Sequence, residues 1–163
     1  MTRLALAALV LIAAPLAARE SLGVFDSWAA FKDASPARCY AIAKAQGTKA
    51  QGSPSAPAYA TISHWPDRKV RGAVHIVLSR EVADKKPVRL TVGDKRFELV
   101  AKGRNAWAKD VRDDAAIIAA LRSAARMSVS AQGAKAGTFT DRYALAGAAT
   151  AIDAATVGCA PKR

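Results

Sequence analysis

The chain has 163 residues, with 25 Lys and Arg against 13 Asp and Glu for a formal net charge of +12. That length fits one domain, and because 40 residues are alanine within an apolar fraction of 52%, the larger apolar side chains suffice for one modest core. A charged fraction of 23% and only 2 Cys exclude a disordered tail, a collagen-like repeat and a disulfide-dense mini-scaffold.

Met1-Thr2-Arg3 puts one positive charge ahead of an uninterrupted apolar run at 4–14 (LALAALVLIAA), and Pro15-Leu16-Ala17-Ala18 offers small residues for cleavage. Charge, apolar run and small residues in that order make a secretory signal peptide. The run is too short to cross about 30 Å of hydrocarbon as a helix, and no later apolar run reaches the length of about 20 residues that would. The expected division is a signal segment at 1–18 and a single domain at 19–163, with no transmembrane segment after cleavage. A buried N-terminal helix is the alternative. Export to a periplasmic or secreted, envelope-associated location follows from the signal reading, and it changes the meaning of the cysteines. In an oxidising compartment an isolated even pair, Cys39 and Cys159, reads as a bridge rather than as two buried thiols. Neither lies in a C-x-x-C motif, which leaves thiol-redox chemistry without a signature.

Period-two alternation dominates the next stretch and predicts strands at 27–32 (SWAAFK), 38–44 (RCYAIAK), 58–65 (AYATISHW), 73–80 (AVHIVLSR), 88–92 (VRLTV) and 96–101 (RFELVA). Residues 47–57 (GTKAQGSPSAP) read as a flexible loop, and Pro66-Asp67 and Gly93-Asp94 as chain reversals. At Asp110 the pattern changes: Asp110 can cap a helix start, Ile117, Ile118 and Leu121 follow at helical spacing, and Arg122 and Arg126 are placed to favour a helix C-terminus. Strands at 127–131 and 138–145 and an Ala-rich segment around 148–155 complete the chain. The sum is a mainly β protein, an immunoglobulin-like β-sandwich with one or two short helices, with a half-open β-barrel as the alternative; strand topology stays open.

Signatures of catalysis are scarce. His64 and His75 are the only histidines, and an antiparallel pairing across 66–72 would bring them to one face, the basis of an alternative reading as an uncharacterised periplasmic hydrolase. Zinc normally takes three or four protein ligands, and no third ligand joins this pair, so no metal site is expected. Asp113-Asp114 reads as first-turn acids complementing a helix dipole rather than as an acid/base pair. No Gly-x-Ser-x-Gly elbow, Gly-x-Gly-x-x-Gly loop or Walker-type Gly-Lys-Ser loop occurs, so no cofactor and no enzymatic activity are expected.

The charge is concentrated: residues 68–112 hold 13 Lys and Arg against 5 acids. Arg68, Lys69 and Arg71 crowd one loop and form the candidate anion-binding surface, with Lys85-Lys86 and Lys95-Arg96 near two others. For an exported chain the counterpart is an anionic envelope component, lipid phosphate or polysaccharide, or a protein partner, and not nucleic acid. Exposed aromatics such as Trp65 or Trp107 would assist. A solvated, soluble surface guarding strand edges is the plainer reading of the same charges.

Three features together resemble the invasion-associated locus B family of alphaproteobacteria: the signal segment, Trp28-Ala29-Ala30-Phe31 with Arg38-Cys39-Tyr40, and the stretch 138–153 (TFTDRYALAGAATAID). The sharpest piece is Leu145-x-Gly147 leading into Ala151-Ile152, a strand turning at glycine into a helix. An aromatic often follows that glycine in the family pattern, where this chain has Ala148. The resemblance implies an exported β-sandwich, linked in some relatives to host-cell entry, and carries no catalytic residues.

Overall fold

A computed structural model describes residues 19–46, 48–50, 56–135 and 137–161. The expected signal segment at 1–18, and residues 47 and 51–55 of the expected loop, lie outside the described residues. Eleven strands are described: β1 (Glu20–Phe25), β2 (Trp28–Ala34), β3 (Ala37–Lys44), β4 (Thr48–Ala50), β5 (Tyr59–Trp65), β6 (Val70–Val77), β7 (Val88–Val92), β8 (Lys95–Lys102), β9 (Asn105–Trp107), β10 (Arg126–Gln132) and β11 (Thr138–Ala144). They hydrogen-bond antiparallel in the order β1-β2-β3-β5-β6-β9-β8-β7-β10-β11-β4. β8 belongs to both halves, because 95–99 pair with β7 while 100–102 pair with β9. The sheet turns over there into two layers around a common core, so the fold is sandwich-like and not a closed barrel.

Alternation of side chains places Trp28, Ala30, Cys39, Ala41, Ala43, Ala60, Ile62, Val74 and Ile76 in the core from the first half, and Val88, Leu90, Val92, Met127, Val129, Phe139 and Tyr143 from the second. The many alanines have a specific place. Helix α2 (Ala148–Gly158) lays its buried Ala148, Ala151, Ile152 and Ala155 against β1, β2 and β3, where Ala30, Ala41 and Ala43 are buried, and small residues on both sides let helix and sheet approach closely. Trp28 fills the remaining volume, and its indole N–H donates to the Ala144 carbonyl at 3.0 Å. At the β11 to α2 junction Gly147 takes φ +83° in contact with the Phe25 carbonyl, a conformation and a space that only glycine satisfies.

The expected elements recur with physically explicable shifts. Asp110 caps α1 (Val111–Leu121), accepting from the amides of Arg112 and Asp113 at 2.8 and 2.9 Å. The helix ends at Leu121, so Arg126 belongs to β10 and not to a helix terminus. The strand expected at 73–80 is β6, shifted toward the N-terminus: Leu78 and Ser79 leave the ladder, their amides bonding the Arg104 carbonyl and the buried Asp141 carboxylate. Within the loop expected at 47–57, Thr48–Ala50 pairs with β11, and β1 and β9 are two further strands that the alternation did not mark.

Candidate functional site

The basic loop joins β5 to β6. Pro66 starts a single 3-10 turn, Pro66–Arg68, and Lys69 ends it at φ +55° with its amide donating to the Pro66 carbonyl at 3.0 Å. Pairing runs Ser63 to Ala73 and then Trp65 to Val70, so His64 faces two residues of β6, Arg71 and Gly72. Gly72 supplies the φ of +74° that such a bulge uses. The three expected cations are thereby divided. Arg68 stacks its guanidinium 5.0 Å from the Trp65 ring, while Lys69 and Arg71 line a cavity with His64.

That cavity has a volume of about 370 Å³. Its far wall is Thr156 of α2 and the tail Cys159-Ala160-Pro161. The Cys39–Cys159 disulfide, with Cα atoms 5.7 Å apart, ties this tail to β3 directly beside His64, the cross-strand neighbour of Cys39. Among the described residues no carboxylate lines the cavity, and Lys69 and Arg71 take part in no ion pair. His64 is 8% exposed. Its Nε2 lies 3.2 Å from Thr156 Oγ1, whose hydroxyl donates to the Ile152 carbonyl at 2.7 Å. Thr156 has one proton to give, so it accepts from His64, which assigns the Nε2–H tautomer. Burial first, and the nearby Arg71 charge second, hold the His64 pKa below the ordinary imidazole value, which keeps the ring neutral.

The opposite face of the first sheet half carries an aromatic and cationic ladder. Arg38 lies 4.0 Å from the Tyr40 ring centroid and 5.1 Å from that of Trp65, and Arg19 packs over Phe31 and Tyr40. Asp33 accepts from Arg38 at 2.8 Å and Arg19 at 3.1 Å. Burial alone would raise its pKa, but these two guanidinium bonds together hold it below the usual carboxylate value. Further along this face His75 stacks on Trp107 at 5.4 Å and bonds Asn105 at 2.9 Å. The two histidines thus sit on opposite faces, His64 toward α2 and His75 toward solvent, and do not converge on one substrate atom. Among the described residues no three His, Cys, Asp or Glu side chains group as metal ligands.

A broader depression of about 630 Å³ lies on the second half, where the cross-strand row Thr91, Ser128, Arg142 meets Arg126. Sequence reasoning missed it because its two arginines come together only through the β10 to β11 register; the alternation of Ser128 and Arg142 with buried neighbours is the one signal that could have found it.

The chain shares the fold of invasion associated protein B. That solved structure, from Bartonella henselae, superposes with a TM-score of 0.59 at 18% identity, covering 83% of this chain and 95% of that one. No family model matches the chain, and no curated protein matches it at the significance required. The fold agrees with the family resemblance carried by the Trp28, Cys39 and Gly147 segments, which form the α2-to-sheet interface and its covalent clamp.

Proposed function

We propose that this chain is an exported, non-enzymatic envelope or surface protein of the invasion-associated locus B type, which engages an anionic envelope component through the β5 to β6 turn. The observation that carries the reading is the turn itself, where Arg68, Lys69 and Arg71 are all exposed and outside the ion pairs of the described residues, with Trp65 beside them. Three other arginines are tied down, Arg19 and Arg38 by Asp33 and Arg122 by Asp153. With Asp67 the one acid of the turn, the three cations leave a net positive charge that attracts phosphate- or carboxylate-bearing surfaces over roughly a Debye length, about 8 Å at physiological salt. Export is supported by the disulfide and by the leading charged and apolar segment.

The test replaces Arg68, Lys69 and Arg71 together by glutamate and follows the protein in fractionated cells. None of the three side chains is buried, so the fold is retained and circular dichroism stays unchanged. Loss of the variant from the envelope fraction supports the reading, and retention equal to the parent rejects it.

A further inference from the structure

We propose that the cavity between the β5 to β6 turn and the tail after α2 is a site for one compact dianion, a phosphate monoester or inorganic phosphate, held by Lys69 and Arg71 and coupled to protonation of His64. It rests on the reading of the turn as anion-binding and narrows it from a surface to one cavity.

Charge balance sets the ligand class. Among the described lining residues Lys69 and Arg71 meet no carboxylate, and with His64 neutral a single dianion matches their summed charge where a carboxylate matches only half. Lys69 is a point charge and Arg71 a forked donor, a combination that suits the several oxygens of a phosphate. Pro66, Val70 and Pro161 supply apolar walls around them, where an ester substituent can lie. The site is pre-formed, because the αL geometry of Lys69, the bulge at Gly72 and the disulfide at Cys159 fix three sides before any ligand arrives.

His64 is the reporter. Among the described residues the charged groups that line the cavity with it are Arg71 of β6 and Lys69 of the turn, whose acid Asp67 is not part of the lining; α2 presents Thr156, β3 presents the disulfide-bonded Cys39, and the α2 acid Asp153 is engaged by Arg122. An anion seated against Arg71 cancels the charge that disfavours the imidazolium, so occupancy raises the His64 pKa. By linkage the same anion binds more tightly as the pH falls through that pKa. His75, on the other face against Trp107, is an internal reference within the same molecule.

The experiment titrates inorganic phosphate into the protein at constant ionic strength and follows the two imidazole Cε1–H signals by NMR. The expected result is a saturable shift of His64 alone with a raised pKa, and about tenfold or greater weakening in Arg71→Gln and in Lys69→Asn. Sulfate, dianionic throughout pH 5 to 8, should bind more tightly at the acid end. Parallel arms with glycerol phosphate and with vesicles of phosphatidic acid or phosphatidylcholine separate a free phosphate from a lipid headgroup. No His64 shift, equal shifts of both histidines, or unchanged binding by Arg71→Gln overturns the proposal. If phosphate binds while the Arg68, Lys69, Arg71 charge-reversal variant stays on the envelope, only the envelope reading fails. If that variant is lost while His64 ignores phosphate, only the single-site proposal fails.

Discussion

Replacing Cys39 and Cys159 together by alanine removes a link across a sequence separation of 120 residues, which encloses almost the whole described domain. In the chain-entropy model a loop of that size constrains the unfolded chain by about 16 cal/mol/K, or about 5 kcal/mol at 25 °C. Alanine is the right replacement: Cys39 is fully buried against the α2 interface, where a serine hydroxyl would add its own desolvation cost. With a urea m-value of about 2 kcal/mol/M for a domain of this size, the denaturation midpoint should fall by about 2.5 M. Since small domains retain only about 5 to 15 kcal/mol in total, the loss removes about a third or more of the stability. The assay is urea denaturation followed by far-ultraviolet circular dichroism and tryptophan fluorescence. A midpoint shift below about 0.5 M would refute the claim that the bridge is a principal stabilising element of an alanine-rich core.

Three further outcomes are expected. Gly147→Ala forces a side chain into a left-handed backbone position, about 1 kcal/mol, and onto the Phe25 carbonyl; the total loss should exceed about 2 kcal/mol, read from the thermal midpoint, and a loss below about 0.5 kcal/mol would show that the junction yields. Trp28→Phe leaves the Ala144 carbonyl without its donor and opens a small void, costing about 1 to 3 kcal/mol in chemical denaturation. His64 titrates below the ordinary imidazole value in the folded state because of burial and then Arg71, so the unfolded chain binds the proton more strongly. The stability this provides is complete above about pH 6.5 and is lost as the pH falls through the folded value, with a slope of at most about 1.4 kcal/mol per pH unit. His64→Gln should flatten that acid limb in thermal melts between pH 7 and 5, and an unchanged limb would contradict the assignment.

Much of the fold is legible where one physical rule acts alone. Alternation in 38–44 marks β3, since Cys39, Ala41 and Ala43 face the core, and Asp110 announces α1 by its own hydrogen bonds. Where two influences compete, local pattern fails. Thr48–Ala50 and Asn105–Trp107 are too short to show a period, and they exist because β11 and β6 offer unpaired edges. Tyr40 is buried on the outward face because Arg38 and Arg19 cover it. The candidate site shows the same division. A cluster at Arg68, Lys69 and Arg71 is plain in the sequence, but the bulge at Gly72 sends Lys69 and Arg71 to a different surface from Arg68. Thr156, 92 residues from His64, enters the site because α2 packs on the sheet and the cystine fixes its end against β3. The expected bridge was readable from compartment logic; what it builds was not.

The binding of anionic surfaces proposed for the β5 to β6 turn rests on charge. The direct measurement is co-sedimentation with vesicles of anionic phospholipid, with phosphatidylcholine as control, for the parent and for the variant with Arg68, Lys69 and Arg71 replaced by glutamate, at low and high salt. With about 1 kcal/mol per basic residue near an anionic membrane, the variant should bind at least about 100-fold more weakly, and the parent's affinity should fall steeply with salt. Equal binding of parent and variant, or binding indifferent to salt and lipid charge, would contradict the account.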